Sequence, residues 1–237
     1  MSTSFLPARI AVSRWVPGER LDAPEADPAP VPGAPVVGVL ALQGDVLEHR
    51  RALRRCGAEV VLVRDLDGLA GVDGLILPGG ESTTIGKLLE RFGMLGPLRR
   101  RIDAGLPVLG TCAGMILLSD ELDQDTVQPL VGGLAVRTRR NAFGRQRDSF
   151  DTRIEVSALA GGPLDVSFIR APRVEAVLDD DVEVLAEVGG YPVMVRQGHL
   201  LATAFHPEVT GDDRVHHALV EAVRASRPHA DGGVAHG

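Results

Sequence analysis

Short apolar runs at residues 36–42, 58–63, 74–77 and 106–109 alternate with amphipathic stretches at 45–55 and 83–102, and no other feature restricts the possible folds as much. Runs that are apolar at nearly every residue suit strands covered on both faces, and helical stretches between them suit parallel crossovers. The expectation is an α/β fold: a single three-layer domain whose largely parallel central sheet is flanked by helices. In the first amphipathic stretch Val46, Leu47, Ala52 and Leu53 follow a helical period, and Gly57 ends it where a residue without Cβ takes up the left-handed cap. The stretch 83–102 is interrupted near 93–97 and closed by Gly105 and Pro107. Beyond residue 133 the pattern changes to short β-like runs at 134–139, 150–156, 166–169, 182–188, 193–197 and 200–205, which predicts a smaller antiparallel β element before a last helix at 213–224.

The ends of the chain read differently. Residues 1–35 hold seven of the 16 prolines and no apolar periodicity, so they cannot bury enough surface to offset ordering entropy and are expected to form a disordered extension. Residues 226–237, with Pro228, Gly232, Gly233 and Gly237, read as a flexible tail, which leaves 36–225 as the domain. A formal net charge of −7, with Arg interspersed among Asp and Glu, excludes the clustered basic surface that nucleic acid requires. No run approaches the roughly 20 apolar residues of a membrane span, and no basic-then-apolar leader opens the chain. Two cysteines, Cys56 and Cys112, are too few for a disulfide framework and suit a reducing cytoplasm.

Chemistry concentrates in three places. Gly110-Thr111-Cys112-Ala113-Gly114 follows an apolar strand and opens a helix, the arrangement of a nucleophile elbow, in which glycines on either side admit a strained turn and close chain contacts. The thiol is then expected to be exposed above the carboxyl edge of the sheet, at a helix N-terminus that favours thiolate. Read alone, the pentapeptide also fits a buried structural cysteine. His206-Pro207-Glu208 follows the strand at 200–205; in extended backbone His206 and Glu208 point to one side, and the carboxylate can orient the imidazole. Alone, it also fits a surface histidine beside a turn. Leu77-Pro78-Gly79-Gly80-Glu81-Ser82 ends another strand, and the backbone N–H of Gly80 with that of Ala113 can form an oxyanion hole, where a tight structural turn is the competing reading. A Gly-Gly loop, a cysteine, a histidine and a glutamate, each at a strand terminus, form a nucleophile, base and orienter set. The acid comes after the histidine here, whereas an α/β-hydrolase places it before.

These residues resemble the class I (triad) glutamine amidotransferases, and among them the glutaminase subunits of pyridoxal 5'-phosphate synthase. The general resemblance rests on the cysteine elbow and His206-Pro207-Glu208. The narrower one rests on Val39-Leu40-Ala41-Leu42-Gln43-Gly44-Asp45 with Glu48-His49, on Pro78 to Thr83, on Arg140-Asn141-Ala142-Phe143-Gly144-Arg145-Gln146, and on Phe168-Ile169-Arg170-Ala171-Pro172. It covers about residues 36–225 and implies a flavodoxin-like fold. It further implies that Cys112 attacks the carboxamide carbon of L-glutamine, that His206 takes its proton and that Glu208 holds His206. Glutamine would be bound by Gly80, Glu81, Ser82, Arg140, Ile169 and Arg170, with the Arg139/Arg140 register open by one. The implied protein partner is a (β/α)8-barrel pyridoxal 5'-phosphate synthase subunit in a hetero-oligomer, which receives the ammonia; no cofactor is implied.

Other reactive side chains receive duller readings. Cys56, before Gly57, reads as a core or boundary residue, His199 as part of a turn, and His49, beside Asp45 and Glu48, as solvated or on a docking face. His216 and His217 on the last helix lie in no metal-ligand pattern, and no metal site is expected. Three other functions compete with this reading: a class I glutaminase feeding a different acceptor, an inactive binding module, and a cysteine hydrolase acting on peptides.

Overall fold

The computed structural model describes residues 33–123, 127–140, 142 and 149–227. Most of the extension at 1–35, the tail from 228 onward, and Asn141 and Phe143 to Gln146 of the sequence block at 140–146 lie outside the described residues. The central sheet is built from β1 (Val36–Leu40), β2 (Glu59–Val63), β3 (Gly74–Leu77), β4 (Val108–Thr111), β10 (Glu183–Val188), β11 (Tyr191–Gln197) and β12 (Leu200–Thr203). Its order is β10-β11-β12-β4-β3-β1-β2. The strands from β2 to β12 pair in parallel, and β11 and β10 continue the sheet antiparallel at one edge.

Every residue of β3, β4 and β12 is buried, as the unbroken apolar runs require of interior parallel strands. The helices are α1 (Val46–Arg55), α2 (Leu66–Ala70), α3 (Ser82–Arg91), α4 (Leu95–Asp103), α5 (Ala113–Leu118) and α6 (Arg214–Ser226). α1 packs on α6, and α3 packs on both α4 and α5. The expected break in the stretch 83–102 falls between α3 and α4, at Gly93 with its left-handed φ of 67°. The second-half element is more divided than expected: β5 (Ser119–Leu122), β6 (Leu134–Arg139) and β9 (Arg173–Val177) form one mixed sheet, and β7 (Phe150–Ile154) pairs with β8 (Leu164–Phe168) as an antiparallel ribbon. Among the described residues no helix is long and apolar enough to cross a membrane.

The chain leaves β1 toward β2 on one side and continues with β3 and β4 on the other. Such a reversal opens a crevice at the carboxyl ends of the strands, where α/β sheets bind ligands. The segments after β1, β3, β4 and β12 all end there.

Candidate active site

Cys112 joins β4 directly to α5 with φ 48° and ψ −101°, a conformation that costs a non-glycine residue about 1–3 kcal/mol. The flanking glycines are required by contact. A Cβ on Gly114 would stand 2.0 Å from the Leu77 carbonyl oxygen, and one on Gly110 would stand 2.7 Å from the Gly114 backbone. α5 therefore lies close against β3 and β4, and the turn before it has to be sharp. The Cys112 N–H donates to the Thr203 carbonyl at 2.8 Å, tying the elbow to the end of β12. Contrary to the sequence expectation, the thiol is not exposed: Cys112 is 7% accessible and lies on the wall of a cavity, its Sγ 3.9 Å from the Ile169 carbonyl oxygen.

His206 and Glu208 do meet, by a different backbone path than an extended strand. β12 stops at Thr203, and Pro207–Val209 form a 3-10 turn in which the fixed φ of proline is tolerated at the first position. The turn brings Glu208 Oε1 to 2.8 Å from His206 Nδ1. The His206 N–H donates to the Ser167 carbonyl at 3.0 Å, so β8 also fixes the segment. His206 is 4% and Glu208 6% accessible. Burial opposes the imidazolium, but hydrogen bonding to Cys112 and to Glu208, with their charges, prevails and lifts His206 to about 10. Asp45 Oδ2 lies 3.5 Å from the same Nδ1. Asp45, His206 and Glu208 place three potential donor atoms within 4.8 Å, yet the Nδ1 is already engaged by Glu208, and the group is a hydrogen-bonded pair beside a second acid.

The cavity, about 280 Å³, is lined by Gly80, Glu81, Ser82, Cys112, Ala113, Arg140, Ile169, Arg170 and His206, with Gln43, Asp45 and Ile116. Every residue expected to bind glutamine is on that wall, and Glu208 stands behind His206. Arg140, rather than Arg139, faces it: Arg140 pairs with Glu81 and donates to Thr83 Oγ1 at 2.7 Å, while Arg139 pairs with Asp123. Glu81 caps α3, accepting from the Thr84 N–H at 2.9 Å. Burial would raise its carboxyl, but that bond and the Arg140 charge hold it below the ordinary value. Arg170 has φ 49°, so Cys112 and Arg170, the two non-glycine residues with positive φ among those described, both line this cavity.

Gln43 and Asp45 received no individual role from the sequence. Gln43 Oε1 accepts from the Glu81 N–H at 2.8 Å, and the Asp45 N–H donates to the Gly79 carbonyl at 3.1 Å, so the loop after β1 clamps the Gly79-Gly80 loop. The signal available was position: both follow an apolar strand, as Cys112 and His206 do. His49 is corrected outright. It is fully buried rather than solvated, because α6 covers that face of α1, and His216 on α6 is buried with it. Cys56 is buried at the end of α1, where burial, foremost, pushes its thiol up to about 11, and His199 sits in the turn before β12 with Nε2 2.9 Å from the Ile102 carbonyl oxygen.

The comparisons agree with this geometry. Residues 39–225 match the SNO glutamine amidotransferase family. A protein of Frankia casuarinae named pyridoxal 5'-phosphate synthase subunit PdxT is 61% identical over 193 residues, covering 81% of this chain and 96% of the relative. Its namesake in Nocardia farcinica is 55% identical over 212 residues, covering 87% of this chain and 93% of the relative. A crystal structure of a glutamine amidotransferase, 49% identical, superposes with a TM-score of 0.75 over 79% of this chain and 98% of that one. With the match spanning the sheet, the cysteine elbow and the His206-Glu208 turn alike, the chain belongs to the SNO glutamine amidotransferase family.

Proposed function

We propose that the protein hydrolyses L-glutamine to glutamate and ammonia at Cys112, His206 and Glu208, and that the ammonia feeds pyridoxal 5'-phosphate synthesis on a partner synthase. The observation that carries this reading is the convergence on one cavity of Cys112, a glutamate-bound His206, and the Glu81-Arg140 pair. Glutamine is a zwitterion, and an acid beside an arginine matches its α-ammonium and α-carboxylate, with Gly80, Ser82, Ile169 and Arg170 completing the wall. His206, held protonated by its contacts with Cys112 and Glu208, carries the proton drawn from the thiol; the sulfur attacks the carboxamide carbon, His206 gives that proton to the departing ammonia, and a glutamyl thioester remains. Water, deprotonated by His206, then cleaves the thioester, releasing glutamate and restoring the thiol. Glu208 holds the ring, and the N–H groups of Gly80 and Ala113 face the developing oxyanion. The glutaminase unit spans residues 36–225 and works in the cytoplasm, which suits two free cysteines.

The partner is a (β/α)8-barrel synthase subunit. Its docking reorients the Gly79-Gly80 peptide, which the loop carrying Gln43 and Asp45 now clamps. Glycine keeps that movement inexpensive, and Gly80 already has φ 152°. The test is glutamate release by the purified protein, alone and with the synthase, beside Cys112→Ala. Release that rises with the synthase and disappears in the variant is expected; a variant as active as the parent would remove the triad, and equal rates with and without synthase would remove the switch.

A further inference from the structure

Behind the proposed triad lies a pair of buried histidines to which that chemistry gives no task. His49 on α1 and His216 on α6 are both 0% accessible, with His49 Nδ1 2.9 Å from His216 Nε2. On its other side His49 Nε2 lies 3.1 Å from Thr111 Oγ1, in the residue before the nucleophile, and 3.5 Å from Glu208 Oε2. Two atoms of this cluster, Glu208 Oε2 and His216 Nδ1, are buried and find no hydrogen-bond partner among the described residues.

Only one proton arrangement suits both. Were the shared proton on His49 Nδ1, then His49 Nε2 would turn a lone pair toward the Glu208 carboxylate, and His216 Nδ1 would carry a buried N–H with no acceptor. With the proton on His216 Nε2 instead, His216 donates to His49 Nδ1, His49 carries its N–H on Nε2, and that N–H faces Thr111 Oγ1 and Glu208 Oε2. The unpaired atom on His216 is then a bare acceptor, the less costly kind. Burial first, then the charges of His216 and His206, hold the His49 imidazole well below its ordinary value, and burial also lowers His216, to about 4, against the charge of Asp213. The contact to Glu208 is therefore a neutral N–H facing a carboxylate rather than an ion pair.

We propose that His49 is a positioning residue for the glutaminase reaction: His216 fixes its tautomer, its Nε2–H donates to Thr111 Oγ1, and the positive end of that N–H stays 3.5 Å from the outer oxygen of Glu208, so that the inner oxygen remains on His206 Nδ1. This rests on the triad reading above. His49 does not line the cavity, so its loss acts on turnover and not on glutamine binding. In the presence of the synthase, His49→Leu is expected to lower kcat by about threefold to tenfold, the worth of one buried hydrogen bond, with KM for L-glutamine within about twofold. His49→Gln, whose amide places an N–H where the ring had one, is expected to recover most of that loss. Nitrogen-15 NMR of the parent protein at pH 8 reads the tautomers directly and does not depend on whether a variant folds. Nε2–H on both histidines is expected, and Nδ1–H on His49 would overturn the proposal. So would equal kcat losses in His49→Leu and His49→Gln in folded proteins, or a parent-like kcat in His49→Leu. If Cys112→Ala were as active as the parent, the triad reading would fall first; an inactive Cys112→Ala with a parent-like His49→Leu would remove this inference alone.

Discussion

Cys112 holds a left-handed φ of 48° on the wall of the cavity. The strain is over-determined by its neighbours, since Gly110 and Gly114 close in from both sides and the Cys112 N–H is anchored on β12. A glycine relaxes in such a conformation and an alanine does not. Cys112→Gly is expected to be more stable than Cys112→Ala by about 1 kcal/mol, although glycine usually lowers stability in regular structure. Urea unfolding of the two variants measures this, and the reverse order would show that the elbow stores no strain. At this scale the meeting of Cys112, His206 and Glu208 was legible in the sequence, because each sits beside residues that only a turn accommodates. His49 and His216 were not. Their local pattern is polar, and their burial depends on two helices whose contact spans 167 residues of chain.

Among the elements, α5 leaves little room for change. All six of its residues are buried, and its second, Gly114, approaches β3 so closely that an added methyl would overlap a carbonyl oxygen. Gly114→Ala must push α5 away from β3 and take the elbow with it. A loss of about 2 kcal/mol or more is expected in chemical denaturation, together with a marked drop in glutamate release. An unchanged stability would mean that the sheet yields at little cost. Interior strands such as β3 were legible because burial on both faces leaves apolar residues, as in Leu75, Ile76 and Leu77, whereas β10, β11 and β12, runs expected in the smaller antiparallel element, join the central sheet instead. β5 and α2 escaped notice for the opposite reason. Ser119–Leu122 carries two acidic residues on a strand that pairs with β6, and Leu66–Ala70 is too short to display a period. Pro207 misled in a subtler way: a fixed φ near −65° serves a 3-10 turn as well as an extended strand, and only the tertiary contacts of His206 and Glu208 decide between them.

For the molecule as a whole, buried imidazoles make stability depend on pH. His216, lowered from 6.5 to about 4, binds its proton more weakly folded than unfolded, as does His49, so their contribution is complete above about pH 6.5 and fades as pH falls toward 4. His206, raised to about 10, works the other way: its contribution is complete below about 6.5 and is lost as pH rises through 10. From His216 alone the protein is expected to be less stable at pH 5 than at pH 7.5 by roughly 2 kcal/mol. Urea titrations at the two pH values test this with His216→Gln as the comparison, which should shrink the difference by about that amount; the same slope in both proteins would refute it.

The place of β12 in the sheet has a consequence for how the protein is made. Its four residues hydrogen-bond to β11 on one side and to β4 on the other, about ninety residues earlier in the chain (Leu200 to Val108), so a late strand occupies an interior position. During synthesis the growing chain exposes the flank of β4 until residues 200–203 have left the ribosome, and Cys112 stands without His206 and Glu208 until shortly after. The strand that closes the sheet and the residues that meet Cys112 thus lie within one short stretch, 200–208, and a chain that ends before Leu200 lacks His206 and Glu208 and is open along its middle strand.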